Sequence, residues 1–498
     1  MSAADDNRLT APGSDPAGSS ESAALRPGTG SRLDRYLPRY AARAHSMTSS
    51  EIRALFAVAS RPEVVSLAGG MPNLADLPLD AVGELAADLI AGSGRQSLQY
   101  GSGQGEPFLR ELICDVMAVS GISAHADDVV VTVGSQQALD LVTRIFCDPG
   151  DVVVAEAPSY VGALGVFRSY QVGVAHVEMD DDGLIPELLD QALTALQAAG
   201  RRVKFLYTIP TFHNPAGVSL APDRRREVAR ICREHDVFVV EDDPYGLLGF
   251  DATVHRPLRA DDPDNVLYLG SFSKTFAPGT RIGWVLAPHG VREKLVLAQE
   301  SATLCPPILS QHLIGRYLQT QDWMSQIKVF REMYRERRDA MLDSLSELMP
   351  AIHPDIRWTV PGGGFYVWLT LPAGMDAKAM QPRALSARVA YVSGTAFFAD
   401  GFGSRSMRLS YCHPTPDRIR EGVRRLAGVI RAETDIRALF GASSPDVLTD
   451  RQDQRGAAAA PDVAEGERAA PDPSVVRHGV RPGVRHGGDA DGPGPATR

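Results

Sequence analysis

Four short segments hold side chains suited to chemistry, and each follows an apolar run. In SFSKTFAPGTRIG, the residues Ser271, Ser273, Lys274 and Arg281 crowd one turn after the run VLYLG. Two hydroxyls and a guanidinium suit an anionic phosphate, and a lysine amine forms Schiff bases with aldehydes. In VFVVEDDPYG, Asp242 and Tyr245 stand three residues apart in the loop after another run. Adjacent acids at a strand end are costly unless a cation answers them. A protonated pyridine nitrogen would do so, while the Tyr245 phenol meets an oxygen on the same ring. In TIPTFHNPAGVSL, Asn214 opens a rigid turn that holds its amide inward toward that oxygen. In VTVGSQQALDLV, a glycine turn leads into a helix that begins with Ser135 and Gln136, and the unpaired N–H groups of a helix start bind anions. EAPSY adds Tyr160, a ring able to stack on a planar group.

Taken singly, each segment also fits something plainer: a solvated lysine in a surface turn, an acidic loop, a β-turn, a Ser135 N-cap or a core tyrosine. Joint occurrence separates the two explanations. A phosphate cradle, an acid for a ring nitrogen, donors for a ring oxygen and an aldehyde-binding lysine are the parts that one cofactor needs.

The elements that must hold these parts alternate. VVVTV (Val129 to Val133), VVVA (Val152 to Ala155), VKFLYTI (Val203 to Ile209), VFVVE (Val237 to Glu241) and VLYLG (Val266 to Gly270) are rich in β-branched and aromatic residues. SQQALDLVTRIF and APDRRREVARICREH, between them, repeat apolar residues at helical spacing. Strand and helix in alternation predict an α/β fold, a mostly parallel sheet covered on both faces, with ligands at the strands' carboxyl ends. After about Trp323 the pattern changes: a long helix through IKVFREMYRERRDAMLDSLSELM precedes PGGGFYVWLTLP, RVAYVSG and MRLSYC, which predict a smaller α+β domain.

The chain has 498 residues, 44% hydrophobic and 22% charged, an ordinary globular balance. Lys and Arg number 51 against 61 Asp and Glu, a net charge of -10 without a basic cluster, which disfavours a nucleic-acid partner. Five cysteines are scattered, with no C-x-x-C and no histidine at metal-ligand spacing, so buried thiols and no metal are expected. The start lacks a basic and then apolar leader, and no apolar run reaches membrane-spanning length, so a cytoplasmic location is expected. From Met1 to Arg35 and beyond Phe440 there is no aromatic residue, and Ala, Gly, Pro and Asp dominate. The expected organisation is a disordered arm over 1–45, a segment over 46–95 that joins the small domain and covers substrate, a large domain over 96–325, the small domain over 326–440 and a low-complexity tail over 441–498.

With these segments in this order, the chain resembles the fold type I pyridoxal-phosphate aminotransferases of class I/II, and within them the 2-aminoadipate and kynurenine/aromatic subgroup. The resemblance runs from about Ser49 to Leu426. It implies pyridoxal 5'-phosphate held as a Schiff base by Lys274, with Asp242 on the ring nitrogen and Asn214 and Tyr245 on the ring oxygen. It also implies Ser135, Gln136, Ser271, Ser273 and Arg281 around the phosphate, and Arg408 of MRLSY on the substrate α-carboxylate, where a planar fork pairs with both oxygens. LQYGSGQGEP resembles the stretch whose tyrosine, here Tyr100, reaches the phosphate of a neighbouring subunit, which implies a homodimer with shared active sites. SSEIRALFAVASRPEVVSLAGGMPN is similar to the subgroup's substrate-covering helix and Gly-Gly turn, which brings Arg53 to a distal carboxylate and Gly70 near the α-carboxylate. The implied activity is ping-pong transamination between an amino acid and a 2-oxo acid, most often 2-oxoglutarate. Lyase, decarboxylase or oxidase chemistry on the same fold, or cofactor binding without turnover, remain alternatives.

Overall fold

The computed structural model describes residues 36–45, 47, 61–251 and 253–440. The Met1 to Arg35 arm, the tail beyond Phe440 and Arg53 lie outside the described residues. The arm expected to be unstructured over 1–45 does contain a short helical turn at Leu37–Arg39 and another at Ala42–His45. Tyr36 and Tyr40 are the first aromatics in the chain, and the Tyr40 ring meets His45 edge-on at 6.4 Å.

Eight strands form the main sheet: β2 (Val129–Thr132), β3 (Val152–Ala157), β4 (Gly173–Asp180), β5 (Gly183–Leu184), β6 (Val203–Thr208), β7 (Phe238–Asp242), β8 (Val266–Ser271) and β9 (Gly283–Leu286). Their spatial order is β2-β9-β8-β7-β6-β3-β4-β5. The centre, from β8 through β4, is parallel, as the alternation of strand and helix predicts. The edges are antiparallel: β9 lies between β2 and β8 against both, and β5 folds back on β4. GWVL, the whole of β9, is too short an apolar run to be told from a loop by pattern alone.

Successive residues of the central strands face opposite layers. Phe205, Tyr207, Val240, Leu267 and Leu269 pack under the helices Gly134–Phe146 and Val161–Ser169 through Ala138, Leu139, Leu164 and Phe167. Leu206, Val239 and Val266 pack on the other side, against Leu189 and Leu193 of helix Pro186–Ala198 and Val228 and Ile231 of helix Pro222–Glu234. Burial on both faces is why these strands read as continuous apolar runs.

A second, antiparallel sheet is built from β10 (Arg357–Trp358), β11 (Tyr366–Thr370), β13 (Val392–Ser393) and β14 (Ser406–Ser410), in the order β10-β11-β14-β13. A two-residue strand β1 (Val65–Ser66) pairs in parallel with β12 (Val389–Ala390), joining the 60s to this part of the chain. The long helix Trp323–Leu348 buries Ile327, Phe330, Tyr334, Ala340, Met341 and Leu345, a stripe at helical spacing, in a core shared with Phe365 and Leu369. All five cysteines are free, and Cys147, Cys232 and Cys412 are buried. Among the described residues no helix is long and apolar enough to cross a membrane, and no group of three His, Cys, Asp or Glu is placed to hold a metal.

Candidate active site

Lys274 lies three residues past the end of β8, and its Nζ donates to the Gly70 carbonyl at 2.8 Å. Burial pushes the amine down to about 8; nearby Cys412 resists the fall, while the cations Arg408 and Arg281 add to it. An amine lowered so far is neutral, and hence nucleophilic, in a larger fraction of molecules than an ordinary lysine.

Within the protein, the two adjacent acids are met by neutral donors. Asp242 is the last residue of β7, paired with Leu269 of β8, and not part of the following loop. Its Oδ2 accepts a 2.8 Å hydrogen bond from the Tyr207 hydroxyl, whereas its buried Oδ1 has no partner. Burial pushes this carboxyl up to about 7; the Tyr207 hydroxyl opposes the rise and Asp243 adds to it. Asp243 has both oxygens occupied, Oδ2 by the Tyr268 hydroxyl at 3.0 Å and Oδ1 by the Gly246 N–H at 2.9 Å. Of the pair, only Asp242 retains an acceptor to offer.

Arg408, on β14 opposite Trp368 and Val392, brings the two sheets' residues together. Its Nη1 donates to Asn214 Oδ1 at 2.9 Å and its Nη2 to the Ala68 carbonyl at 2.8 Å, while its buried Nε has no partner. The guanidinium carbon stands 4.2 Å from the centre of the Tyr366 ring and 5.0 Å from that of Phe397. Asn214 therefore orients the arginine in addition to its expected place beside Tyr245. The Tyr245 ring is edge-on to Tyr366 at 6.1 Å, and burial pushes the Tyr245 phenol well above its usual range. Gly70 closes this side: a Cβ there would fall 2.2 Å from the Tyr366 hydroxyl oxygen. The loop that carries Asn214 is braced by Glu156, which accepts from Thr208 Oγ1 at 2.7 Å and the Ile209 N–H at 2.9 Å and faces His213 Nε2 at 3.0 Å.

At the opposite end, helix Gly134–Phe146 starts directly after Val133 with no side chain capping it. Ser135 is its second residue, so the N-cap explanation of Ser135 is set aside. Arg281, left-handed at φ 54, donates from Nη2 to the Val133 carbonyl at 3.0 Å. A Cβ on Gly134 would lie 2.5 Å from that nitrogen, and one on Gly283 2.6 Å from the Gly134 backbone. These glycines let a guanidinium and a second strand close over a helix start, which is an anion site. Ser271 Oγ accepts from the Ser273 N–H at 3.0 Å, and Tyr160 donates to Gln136 Oε1 at 3.3 Å.

Two expected residues are not gathered here. Arg53 lies outside the described residues, and Tyr100 is 76% exposed on an open pocket with Arg95, Gln99, Glu106, Ile308 and His312. Sequence reading missed Tyr207, Tyr366, Glu156 and His213. For Tyr207 the signal was present: in VKFLYTI a polar tip sits on a strand one face of which must be buried. An unpartnered carboxylate oxygen, a lowered amine and a helix start beneath a guanidinium fit the ring nitrogen, aldehyde and phosphate of pyridoxal phosphate.

Comparison with known proteins identifies the family. Residues 62–426 match the family "Aminotransferase class I and II". The aromatic-amino-acid aminotransferase 1 of Thermococcus litoralis is 40% identical over 401 residues, 80% of this chain and 95% of that protein. The kynurenine aminotransferase of Pyrococcus horikoshii, solved in complex with PMP, superimposes with a TM-score of 0.76 at 39% identity, over 79% of this chain and 97% of that one. The α-aminoadipate aminotransferase of Thermus thermophilus, complexed with N-(5'-phosphopyridoxyl)-L-leucine, gives 0.73 at 34% identity, over 80% and 99%. The chain belongs to the pyridoxal-phosphate-dependent aminotransferases of class I and II.

Proposed function

We propose that this enzyme moves the amino group of an L-amino acid with a 2-aminoadipate, aromatic or large apolar side chain to a 2-oxo acid, 2-oxoglutarate first among them. The observation that carries the reading is one cluster: the Lys274 amine on the Gly70 carbonyl, beside an Arg408 guanidinium that Asn214 and Tyr366 hold in place. The relatives' substrates, aromatic amino acids, kynurenine and α-aminoadipate, support the donor class.

Bound pyridoxal phosphate supplies an aldehyde that condenses with amines and a ring that accepts the electron pair left on Cα. Lys274 would hold it covalently, Asp242 Oδ1 would face its ring nitrogen, and Asn214 and Tyr245 its ring oxygen. Ser135, Gln136, Ser271, Ser273 and Arg281 would hold the phosphate, with Tyr160 against the ring and Tyr100 reaching the phosphate of a partner subunit in a homodimer. Arg408 binds the substrate α-carboxylate and so fixes the direction of the Cα–H bond. Lys274, once displaced by substrate, would be free in the same pocket to take the Cα proton and return it two bonds away, on the far side of the amino nitrogen. Gly70 lets the α-carboxylate approach, and Arg53 would meet a distal carboxylate. Water would release the donor's carbon skeleton as its 2-oxo acid before a second 2-oxo acid takes the amino group, a ping-pong order. Residues 46–95 and 326–440 form the small domain around the large domain of 96–325 in this reading.

The test is the visible absorption of the holoenzyme titrated with single donors, from glutamate and 2-aminoadipate to phenylalanine, tyrosine and leucine, without an oxo acid. The band is expected to bleach with the true donors and to return on adding 2-oxoglutarate. Lys274→Ala should remove all turnover from a folded protein. A band that no donor moves, or more than trace turnover in that variant, overturns the reading.

A further inference from the structure

We propose that Tyr207 is a positioning residue for Asp242: its hydroxyl takes one carboxylate oxygen, so that the other alone, Oδ1, is presented to the cofactor's ring nitrogen and stays ionised there. The inference deepens the function proposed above and rests on Asp242 being the partner of that nitrogen.

The geometry starts in the sheet. β6 and β7 are parallel neighbours with Tyr207 in register with Val240, so Asp242, two residues on, shares the face onto which Tyr207 projects. Tyr207 is fully buried, and the Phe167 ring meets it edge-on at 5.7 Å, which leaves the phenol no room to swing. A phenol has one proton to donate, and Tyr207 spends it on Oδ2 at 2.8 Å. Oδ1 is left buried and unpartnered, an arrangement that costs free energy unless a ligand completes it.

Asp243 supplies the contrast within the same strand end. It too receives a tyrosine hydroxyl, from Tyr268, but the Gly246 N–H fills its other oxygen, so nothing is left to bind a ligand. The ionisable groups facing Asp242 are Tyr207, Tyr160, Tyr268 and Asp243, none of which is a cation. The positive charge that balances it therefore has to arrive with the ligand. Donation from Tyr207 stabilises the charged carboxylate, lowers its proton affinity, and so keeps the proton on the ring nitrogen instead of on the acid.

The test uses the full-length holoenzyme and reads cofactor release, not turnover. Wild type, Tyr207→Phe, Tyr268→Phe, Asp242→Asn and the Tyr207→Phe/Asp242→Asn double variant are dialysed over a descending pH series, and the pyridoxal phosphate retained is measured. Loss of one hydrogen bond to a charged group predicts that Tyr207→Phe releases cofactor at a midpoint about one pH unit higher than wild type, with roughly tenfold weaker retention at neutral pH. Tyr268→Phe, which deletes the same hydroxyl from the neighbouring acid, should leave the midpoint in place. In the Asp242→Asn background Tyr207→Phe should add no further shift. A wild-type midpoint in Tyr207→Phe, with Asp242→Asn impaired, overturns the role of Tyr207 and leaves that of Asp242 standing. An unimpaired Asp242→Asn overturns the assignment of Asp242 itself. Should Tyr207→Phe not fold, Tyr207→His, which keeps a donor in a planar ring, must retain cofactor better than Tyr207→Leu, and equal retention overturns the proposal.

Discussion

Arg408 shows how much of a binding residue's behaviour is set by what already touches it. Two of its five N–H groups are committed to Asn214 and Ala68, and an aromatic face lies on either ring contact, so the fork is held ready for a carboxylate before substrate arrives. A lysine has neither the fork nor the planar surface. Arg408→Lys is expected to raise KM for every amino donor about 10- to 100-fold while cofactor stays bound, and steady-state kinetics beside the absorption spectrum will read both. Gly70 makes a sharper case. A methyl at that position meets the Tyr366 hydroxyl oxygen at 2.2 Å but the ring carbon behind it at 3.4 Å. Gly70→Ala should cost about 1–3 kcal/mol of stability by thermal or urea unfolding. Adding Tyr366→Phe should recover part of that loss, and failure of the double variant to recover any would locate the strain elsewhere.

At the scale of elements, most strands and helices were legible because their patterns are local. The long helix is the clearest: Asp322 caps it by accepting from the Ser325 N–H at 3.1 Å, and its buried residues recur at intervals of three and four. Met341 and Leu345 are fully enclosed, so Met341→Ala should destabilise by about 2–5 kcal/mol in urea unfolding, with donor specificity unchanged in the folded fraction. A loss below 1 kcal/mol would mean that the core collapses around the cavity. β4 and β9 were not read. GVAHVEMD mixes polar and apolar residues, since β4 is near a sheet edge and only half-buried, and the antiparallel insertion of β9 between β2 and β8 is a matter of topology, which periodicity does not encode.

At the scale of the whole molecule, the site and the stability of the chain are linked through Asp242. Its folded-state value is raised from about 4 to about 7, chiefly by burial. In the cofactor-free chain its contribution to stability is complete below about 4 and is lost as pH rises through 7. A cationic ring nitrogen reverses that sign, because it stabilises the ionised form. Lys274, lowered to about 8, stays charged through most of that window and alters the trend little. The gain in Tm on loading pyridoxal phosphate should therefore grow as pH climbs from about 5 to 8. The growth attributable to Asp242 should vanish in Asp242→Asn; a gain as pH-dependent in that variant as in wild type would contradict the linkage.

The sequence by itself determined the class of fold and the chemical inventory. Strand runs, helix spacing and the residue types at four strand ends depend on neighbours within a few positions, and those are written in order along the chain. Lys274, Asp242, Asn214 and Tyr245 could be named because short stretches in one chain together hold the parts that one cofactor needs, and Arg408 because MRLSY resembles a family motif. Only the tertiary structure decided how they meet. Tyr207 reaches Asp242 across 35 positions, Arg408 reaches Asn214 across 194, and Lys274 reaches Gly70 across 204. Those contacts follow from strand register and from the seating of one sheet against the other, where a displacement of one residue would turn a side chain to the opposite face. No local pattern fixes such a choice; it is made by the packing of the folded chain as a whole.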